Sequence, residues 1–130
     1  MRRVVLICGP PGAGKSTLAA EFNLPIFDLD DWPGSPKPFR AAIARLRTDP
    51  SAQAVVIRCD PFAGTADLCG ATELIVLDTP LPECVRHIRA RGRTVPPIRV
   101  QIAAATDWWR TFEQRGRNVP PAGITRRRQL

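Results

Sequence analysis

Residues 9–16 read GPPGAGKS and fit the pattern GxxxxGK[ST] in full, between an apolar run and a helix-forming run. Glycines let a backbone approach phosphate oxygens, and the amides from about residue 12 to 16 would point inward at the start of the helix. Lys15 would reach the β- and γ-phosphates, and Ser16 would hold Mg²⁺. A turn that only joins a strand to a helix does not need both side chains, so the motif predicts a bound nucleoside triphosphate, ATP or another, with magnesium. The predicted nucleotide-binding residues in this segment are Gly9, Gly12, Ala13, Gly14, Lys15, Ser16 and Thr17.

Three carboxylates, Asp28, Asp30 and Asp31, follow in the segment FDLDDW, although the chain has a formal net charge of +7. A kinase needs a carboxylate that accepts the proton of the acceptor hydroxyl and orients it towards the γ-phosphate. If the strand end is extended, Asp28 and Asp30 point to one side and Asp31 to the other. We therefore expect an acceptor site here, with Trp32 at its edge. A capping and turn cluster before Pro33-Gly34-Ser35 is the alternative.

The run AVVIRCD, residues 54–60, resembles a Walker B strand and would place Asp60 near the metal, directly or through water. The alternative is that Asp60 only begins a turn with Pro61, since Asp-Pro is a common turn pair. We expect Ser16 and Asp60 to be the metal-proximal side chains.

A cluster of arginines, RHIRARGR, occupies residues 86–93. In phosphoryl transfer, positive charge is needed over the equatorial oxygens of the migrating group, and an arginine in a closing lid supplies it. Arg89 would contact the nucleotide, and Arg91 would act on the transferred group. A solvated basic turn is the alternative.

Alternating strands and helices must position these segments. Four apolar runs, residues 4–8, 25–29, 54–59 and 73–77, suit buried parallel strands. Apolar stripes predict a surface helix around Phe39, Ile43 and Leu46, and a helix that begins near residue 82. In a parallel sheet the loops 9–16, 28–35, 60–70 and 78–82 would share the carboxyl edge, where ligands bind. The stripe predicted for a longer last helix is Ile98, Ile102, Ala105, Trp109 and Phe112.

The composition fits one domain: 130 residues, 44% of them hydrophobic. No run approaches a membrane span, and the N-terminus leads directly into the glycine-rich motif, so we expect a cytoplasmic protein with no membrane partner. Four cysteines without a CxxC pair and a single histidine predict reduced thiols and no zinc site. Cys8 and Cys59, which end apolar runs, are expected to be buried.

Arginine supplies almost all of the basic excess, since only two of the nineteen basic residues are lysines. Either a GC-rich genome or a polyanionic partner explains this preference, and composition alone leaves both open.

Together these segments resemble the kinase domain of phage polynucleotide 5′-hydroxyl kinases, a branch of the P-loop kinases. The matching segments, in order, are GPPGAGKST, DLDDW, VVIRCD and VLDTPLPECVRHIRARGRTVPPI. The resemblance implies a three-layer α/β P-loop domain with a mostly parallel sheet of four or five strands and a short arginine-rich lid. The domain would cover residues 1–118, with the lid at about 86–97 and a basic, loosely held tail at 119–130.

The resemblance also implies roles for individual residues. Lys15 and Ser16 would bind triphosphate and metal, Asp30 would be the general base, and Arg91 would stabilise the transferring phosphoryl group. Asp60 would lie near the acceptor, with Asp28, Asp31 and Trp32 as further acceptor-side candidates. The family places an arginine after the aromatic to grip an acceptor phosphate, whereas here Pro33 follows Trp32.

The functional expectation is a monomeric kinase that moves the γ-phosphate of ATP to a hydroxyl, on a nucleic-acid end, a modified base or a nucleotide. A switch GTPase would need NKxD, which the chain lacks, and a ring motor would need more chain. Two alternatives stay open: a kinase for a small metabolite or antibiotic hydroxyl, and a regulatory ATPase stimulated by nucleic acid.

Overall fold

The computed structural model describes residues 1–32 and 34–115, together with the backbone of residues 124–128. Its strands are β1 (Arg3–Cys8), β2 (Ile26–Asp28), β3 (Gln53–Arg58), β4 (Glu73–Leu77) and β5 (Ile124–Arg128). Its helices are α1 (Lys15–Ala20), α2 (Pro36–Thr48), α3 (Thr65–Cys69), α4 (Leu81–Arg91) and α5 (Ile98–Gln114). A 3₁₀ turn, Leu29–Asp31, follows β2.

The strands form one sheet in the order β2-β3-β1-β4-β5, and every neighbouring pair is parallel. β1 lies in the centre, with Val5 opposite Val55 of β3 and Leu6 opposite Leu74 of β4. Central parallel strands are covered on both faces, which explains their continuous apolar runs. The four predicted strands are confirmed within one residue at each end.

Alternation along the strands divides the core between the two faces of the sheet. Val4, Leu6 and Cys8 face one cluster, which α2, α3 and the C-terminal half of α5 cover. Val5 and Ile7 face the other, which α1, α4 and Ala105 of α5 cover. The predicted three-layer α/β architecture is therefore confirmed.

The register of α5 differs from the predicted stripe. Its buried residues are Gln101, Ala105, Trp108 and Phe112, while Trp109 is only partly buried. Trp108 stacks on Phe112 with ring centroids 4.7 Å apart and donates from Nε1 to the carbonyl of Cys59 at 2.7 Å. The predicted stripe is thus confirmed at Ala105 and Phe112, and Ile98 and Ile102 are partly buried, but the pattern missed the polar Gln101 and chose Trp109 over Trp108.

Three other expectations change. The segment 60–70, expected to be a loop, contains α3, which ends at Gly70 with a φ of 63°. The thiol of Cys59 is exposed, not buried, although Cys8 is buried and all four cysteines are free as expected. Residues 124–128 of the predicted loose tail pair with β4 along its whole length. The predicted boundary at residue 118 lies outside the described residues.

No helix in the described part of the chain combines the length and apolar character needed to cross a membrane.

Candidate active site

The glycine-rich loop connects β1 to α1 at the carboxyl edge of the sheet. Gly12 and Gly14 adopt φ values of 80° and 96°, in the left-handed region that favours glycine. A Cβ at Gly12 would lie 2.5 Å from the carbonyl oxygen of Cys84, so α4 packs too closely to admit any side chain. The loop therefore has the backbone that its sequence requires, and the first amides of α1 have no intrahelical acceptor.

Two side chains donate hydrogen bonds to backbone carbonyls of this loop. His87 Nδ1 donates to the oxygen of Gly12 at 2.7 Å, and Thr79 Oγ1 donates to the oxygen of Ala13 at 3.0 Å. Trp109 Nε1 in turn donates to the carbonyl of Thr79 at 3.1 Å. These bonds connect the loop to α4, to the segment between β4 and α4 and, through Thr79, to α5.

Lys15 lies over the start of the same loop. Its Nζ donates to the carbonyls of Gly9 and Pro10 at 2.9 and 2.8 Å. An ammonium group held at this place adds positive charge to the loop, and its contact with the β- and γ-phosphates stays a prediction.

The three carboxylates lie at the end of β2 and just after it, and they line the same cavity as the glycine-rich loop. Asp28 ends β2, and its Oδ1 accepts a hydrogen bond from the amide of Asp30 at 3.1 Å, which caps the 3₁₀ turn. The expectation of an extended strand end was therefore wrong. Because the chain turns after Asp28, Asp28, Asp30 and Asp31 all line the same cavity.

The environments of these carboxylates differ. Burial raises the pKa of the Asp28 carboxyl above its usual value, and the hydrogen bond from the Asp30 amide acts in the opposite direction. The side chain of Asp30 is 73% exposed, with Oδ2 4.0 Å from Nη1 of Arg93. The carboxylate of Asp30 is thus more accessible than that of Asp28.

The C-terminal end of α4 and the segment after it supply the cations. Arg91 and Arg93 line the cavity, whereas Arg89, exposed on α4, lies outside the lining. Arg91 Nη2 donates to Oε1 of Gln101 on α5 at 2.9 Å. The structure thus brings Lys15, the carboxylates and two lid arginines to one space.

The cavity that these groups share has a volume of about 810 Å³. Volumes of about 300–1,000 Å³ are typical of small-molecule and cofactor sites. Part of its wall is apolar and comes from Ile57, Pro96, Val100 and Ala104. It can therefore hold a nucleotide or a compound of similar size.

Asp60 and Trp32 lie elsewhere. Asp60 Oδ1 accepts from the amide of Phe62 at 2.7 Å, which is the turn geometry that the sequence left open, and Asp60 borders a separate cavity of about 190 Å³. Trp32 packs on Phe27 and Phe39 with centroid distances of 5.8 and 5.4 Å. Neither lines the main cavity, and their predicted roles at metal and acceptor stay predictions.

The donor set fits a magnesium ion that is held mainly by phosphate. Within the described residues no group of three His, Cys, Asp or Glu side chains could enclose a metal. Mg²⁺, however, is usually bound by one or two protein ligands, several waters and substrate phosphates. The hydroxyl of Ser16 and a carboxylate of Asp28 or Asp30, all in the cavity wall, satisfy that requirement.

Sequence reasoning missed three residues of the site: Thr79, His87 and Gln101. His87 precedes Arg91 by four positions, so a helical projection places both on one face of α4. A buried glutamine at 5% exposure gives no signal in an apolar pattern. Only the fold reveals what Gln101 binds.

Comparison with known proteins identifies solved structures with a similar fold. No family model and no curated protein matches the chain. Among solved structures, YorR from Bacillus subtilis, in complex with phosphorylated GDP, matches with a TM-score of 0.58 and 15% identity, over 97% of this chain and 85% of YorR. TT1252 from Thermus thermophilus matches with a TM-score of 0.53 and 20% identity, over 98% of this chain and 89% of TT1252.

The chain therefore shares the fold of these two proteins, an α/β domain in which helices cover both faces of a parallel sheet and a glycine-rich loop follows β1. At these identities the comparison shows the fold alone. The more specific resemblance to phage polynucleotide kinases stays a prediction.

Proposed function

We propose that this protein is a phosphotransferase that moves the γ-phosphate of ATP, or of another nucleoside triphosphate, to a hydroxyl acceptor. One observation supports this most strongly: the phosphate loop, the carboxylates that follow β2 and the lid arginines line a single cavity. Each of these three groups alone has a structural explanation. Their convergence on one space of nucleotide size is what phosphoryl transfer requires.

The proposed roles follow from the positions. The acceptor oxygen attacks the γ-phosphorus and loses its proton to the carboxylate of Asp30, while the bond to the β,γ-bridging oxygen breaks and releases the nucleoside diphosphate. Lys15 and Arg91 balance the charge on the phosphate oxygens. Magnesium, when bound beside Ser16, would neutralise part of the triphosphate charge. Asp28 keeps the 3₁₀ turn that presents Asp30.

The acceptor in this proposal is a nucleic-acid end, a modified base or a nucleotide. The net charge of +7 and the sequence resemblance support it. So does the phosphorylated GDP in the complex of the structural neighbour YorR. The four free cysteines fit a reducing compartment such as the cytoplasm, and we expect a monomer.

A small alcohol without a phosphate group is the second candidate acceptor. Three carboxylates line the acceptor side of the cavity, and Trp32, expected at the edge of the acceptor site, packs on Phe27 and Phe39 instead. Like charges repel, so this wall disfavours an acceptor that presents its phosphates to the aspartates.

Labelled ATP, incubated with 5′-hydroxyl oligonucleotides, nucleotides, nucleosides and small alcohols, tests the proposal. We expect transfer to one class of acceptor, and salt distinguishes the two candidates because only nucleic-acid affinity should fall steeply with ionic strength. Asp30→Asn should reduce transfer by about 10²-fold or more with little change in ATP affinity. Asp49→Asn, at an exposed turn after α2, is the matched control. ATP binding without transfer to any acceptor would overturn the proposal in favour of a regulatory ATPase.

A further inference from the structure

Gln101 is a buried polar residue in the first turns of α5, with only 5% of its surface exposed. Its side chain makes three hydrogen bonds to the lid. Oε1 accepts from Arg91 Nη2 at 2.9 Å, and Nε2 donates to the carbonyls of Arg93 and Pro96 at 2.7 and 2.8 Å. Both N–H groups of the amide are therefore used, and its oxygen faces a cation.

This arrangement fixes which way the amide points. The reversed orientation would place an NH₂ group against the guanidinium of Arg91 and an oxygen against two carbonyls, and every contact would then be repulsive. A glutamine supplies both an acceptor and two donors at this position, which neither an aliphatic nor an acidic side chain of similar length can do. The identity of residue 101 is thus tied to the lid and not to the core.

The lid segment leaves α4 at Gly92, which has a φ of 71°, and enters α5 at Ile98. Between these points Gln101 binds the chain at two carbonyls and binds the guanidinium of Arg91. The same side chain therefore sets both the direction of Arg91 and the path of the backbone that carries Arg93. Arg93 in turn lies 4.0 Å from the carboxylate of Asp30.

We propose that Gln101 is a positioning residue that holds Arg91 and the lid backbone in the geometry needed for phosphoryl transfer. The role in catalysis rests on the proposed function, but the attachment of the lid can be tested without any activity. Arginine has a long and flexible side chain, and a group that is oriented beforehand stabilises a transition state without a cost of reorganisation. Gln101 also borders the cavity, but its proposed role runs through Arg91 and the lid, because its three hydrogen bonds are made there.

Limited proteolysis of the full chain tests the attachment. Trypsin cleaves at Arg93–Thr94, whose carbonyl is an acceptor of Gln101. In Gln101→Met, which keeps length but loses all three bonds, cleavage there should be about tenfold faster. Cleavage after Arg45 in α2 should keep its wild-type rate and reports on global unfolding. Equal acceleration at both bonds, or none at Arg93, would overturn the proposal.

Affinity for ADP with magnesium and aluminium fluoride, which mimics the phosphoryl group in transfer, tests the role of Arg91. Wild-type protein should bind this mixture more tightly than ADP with magnesium alone. In Gln101→Met this gain in affinity should fall about tenfold, while the affinity for ADP with magnesium alone stays unchanged. The double variant Gln101→Met/Arg91→Ala should bind the mixture no more weakly than Gln101→Met. Gln101→Glu restores an acceptor for Arg91 and should recover part of the gain, although its lid should still be cleaved rapidly.

The two arms separate the possible failures. Additive losses from Gln101→Met and Arg91→Ala would contradict the positioning role. If wild-type protein gains nothing from aluminium fluoride, the proposed function is at fault, and the proteolysis result still decides whether Gln101 holds the lid.

Discussion

At the scale of single residues, Asp28 and Asp30 show how two carboxylates of one segment take different tasks. Asp28 is half-buried and caps the turn, whereas Asp30 is exposed to the cavity and faces Arg93. A base must reach its substrate, and a capping group must stay with the backbone. This difference supports our proposal of Asp30, and not Asp28, as the base.

The raised pKa of Asp28 predicts a pH-dependent stability. Because the folded pKa lies above its ordinary value of 3.8, the unfolded chain releases this proton first, and stability falls as pH rises through the interval between the two values. Asp28→Asn keeps an oxygen for the Asp30 amide and removes the charge. We expect it to melt at a higher temperature than wild type at pH 7, with the difference closing towards pH 3.8.

Thermal melts across this pH range measure the effect, with Asp49→Asn as the control, since Asp49 makes the same kind of bond to the Ser51 amide. An Asp28→Asn variant with a melting temperature below that of wild type at pH 7 would contradict the prediction.

We expect substitution of His87 to lower nucleotide affinity through the loss of one hydrogen bond. Its Nδ1 donates to the phosphate loop at Gly12. His87→Leu removes this donor, and we expect ATP affinity to fall about fivefold, which corresponds to one bond of about 1 kcal/mol. His87→Asn places an amide nitrogen near the position of Nδ1 and should recover most of the affinity. Calorimetric titration measures both, and equal losses would show that the bond is not the cause.

At the scale of elements, the packing of α4 on the phosphate loop explains why Gly12 must be glycine. Two constraints act there, a positive φ and a Cβ position 2.5 Å from a backbone oxygen of α4. Gly64 has a similar φ of 77° but no atom within 4 Å of its Cβ position. Alanine substitutions at Gly12 and Gly64 therefore separate the effect of the positive φ from the effect of steric crowding.

Gly12→Ala should destabilise the protein more than Gly64→Ala, and only the first should abolish ATP binding. The left-handed conformation costs an alanine about 1–2 kcal/mol at either position. At Gly12 the loop or α4 must also move, which breaks the cradle for phosphate. Chemical denaturation and ATP titration measure the two effects. Similar behaviour of both variants would mean that α4 yields easily to the loop.

The elements also show where a sequence pattern is sufficient and where it is not. Strands such as residues 73–77 were predicted to the residue because an apolar run between turn residues has one physical solution in a parallel sheet. In α5 the pattern found Ala105 and Phe112 but chose Trp109 over Trp108, because the two are equally apolar. The structure buries Trp108 more fully, stacked on Phe112 and bonded to the carbonyl of Cys59.

At the scale of the whole molecule, local motifs predicted the phosphate loop and an acidic segment that follows it, but not what joins them. The motif singles out Lys15, whereas Asp30 was chosen among three carboxylates by resemblance, and its role as the base stays a prediction. Asp60 has the right type but forms a turn away from the cavity. Gln101 lies only ten residues after Arg91 in sequence, but its role depends on hydrogen bonds that only the fold reveals.

The C-terminal segment is where the structure differs most from the prediction. It was predicted as a loose basic tail, whereas the backbone of 124–128 forms β5, paired with β4 at the edge of the sheet. Without β5, the backbone groups of β4 on that side would lack partners. An unpaired edge of this kind promotes aggregation.

Removal of residues 119–130 should therefore lower the melting temperature and cause concentration-dependent aggregation. The reason is the loss of five backbone pairs along β4, from Glu73 to Leu77. A full-length variant with Arg126, Arg127 and Arg128 replaced by threonine is the control, because threonine favours strands and removes only the charge. Melting curves and light scattering compare the two proteins with wild type. We expect the threonine variant to keep wild-type melting and to lose affinity for oligonucleotides at low salt, if these are the acceptors. A truncated protein that melts with the wild type would show that the sheet does not need its fifth strand and that the segment serves only through its charge.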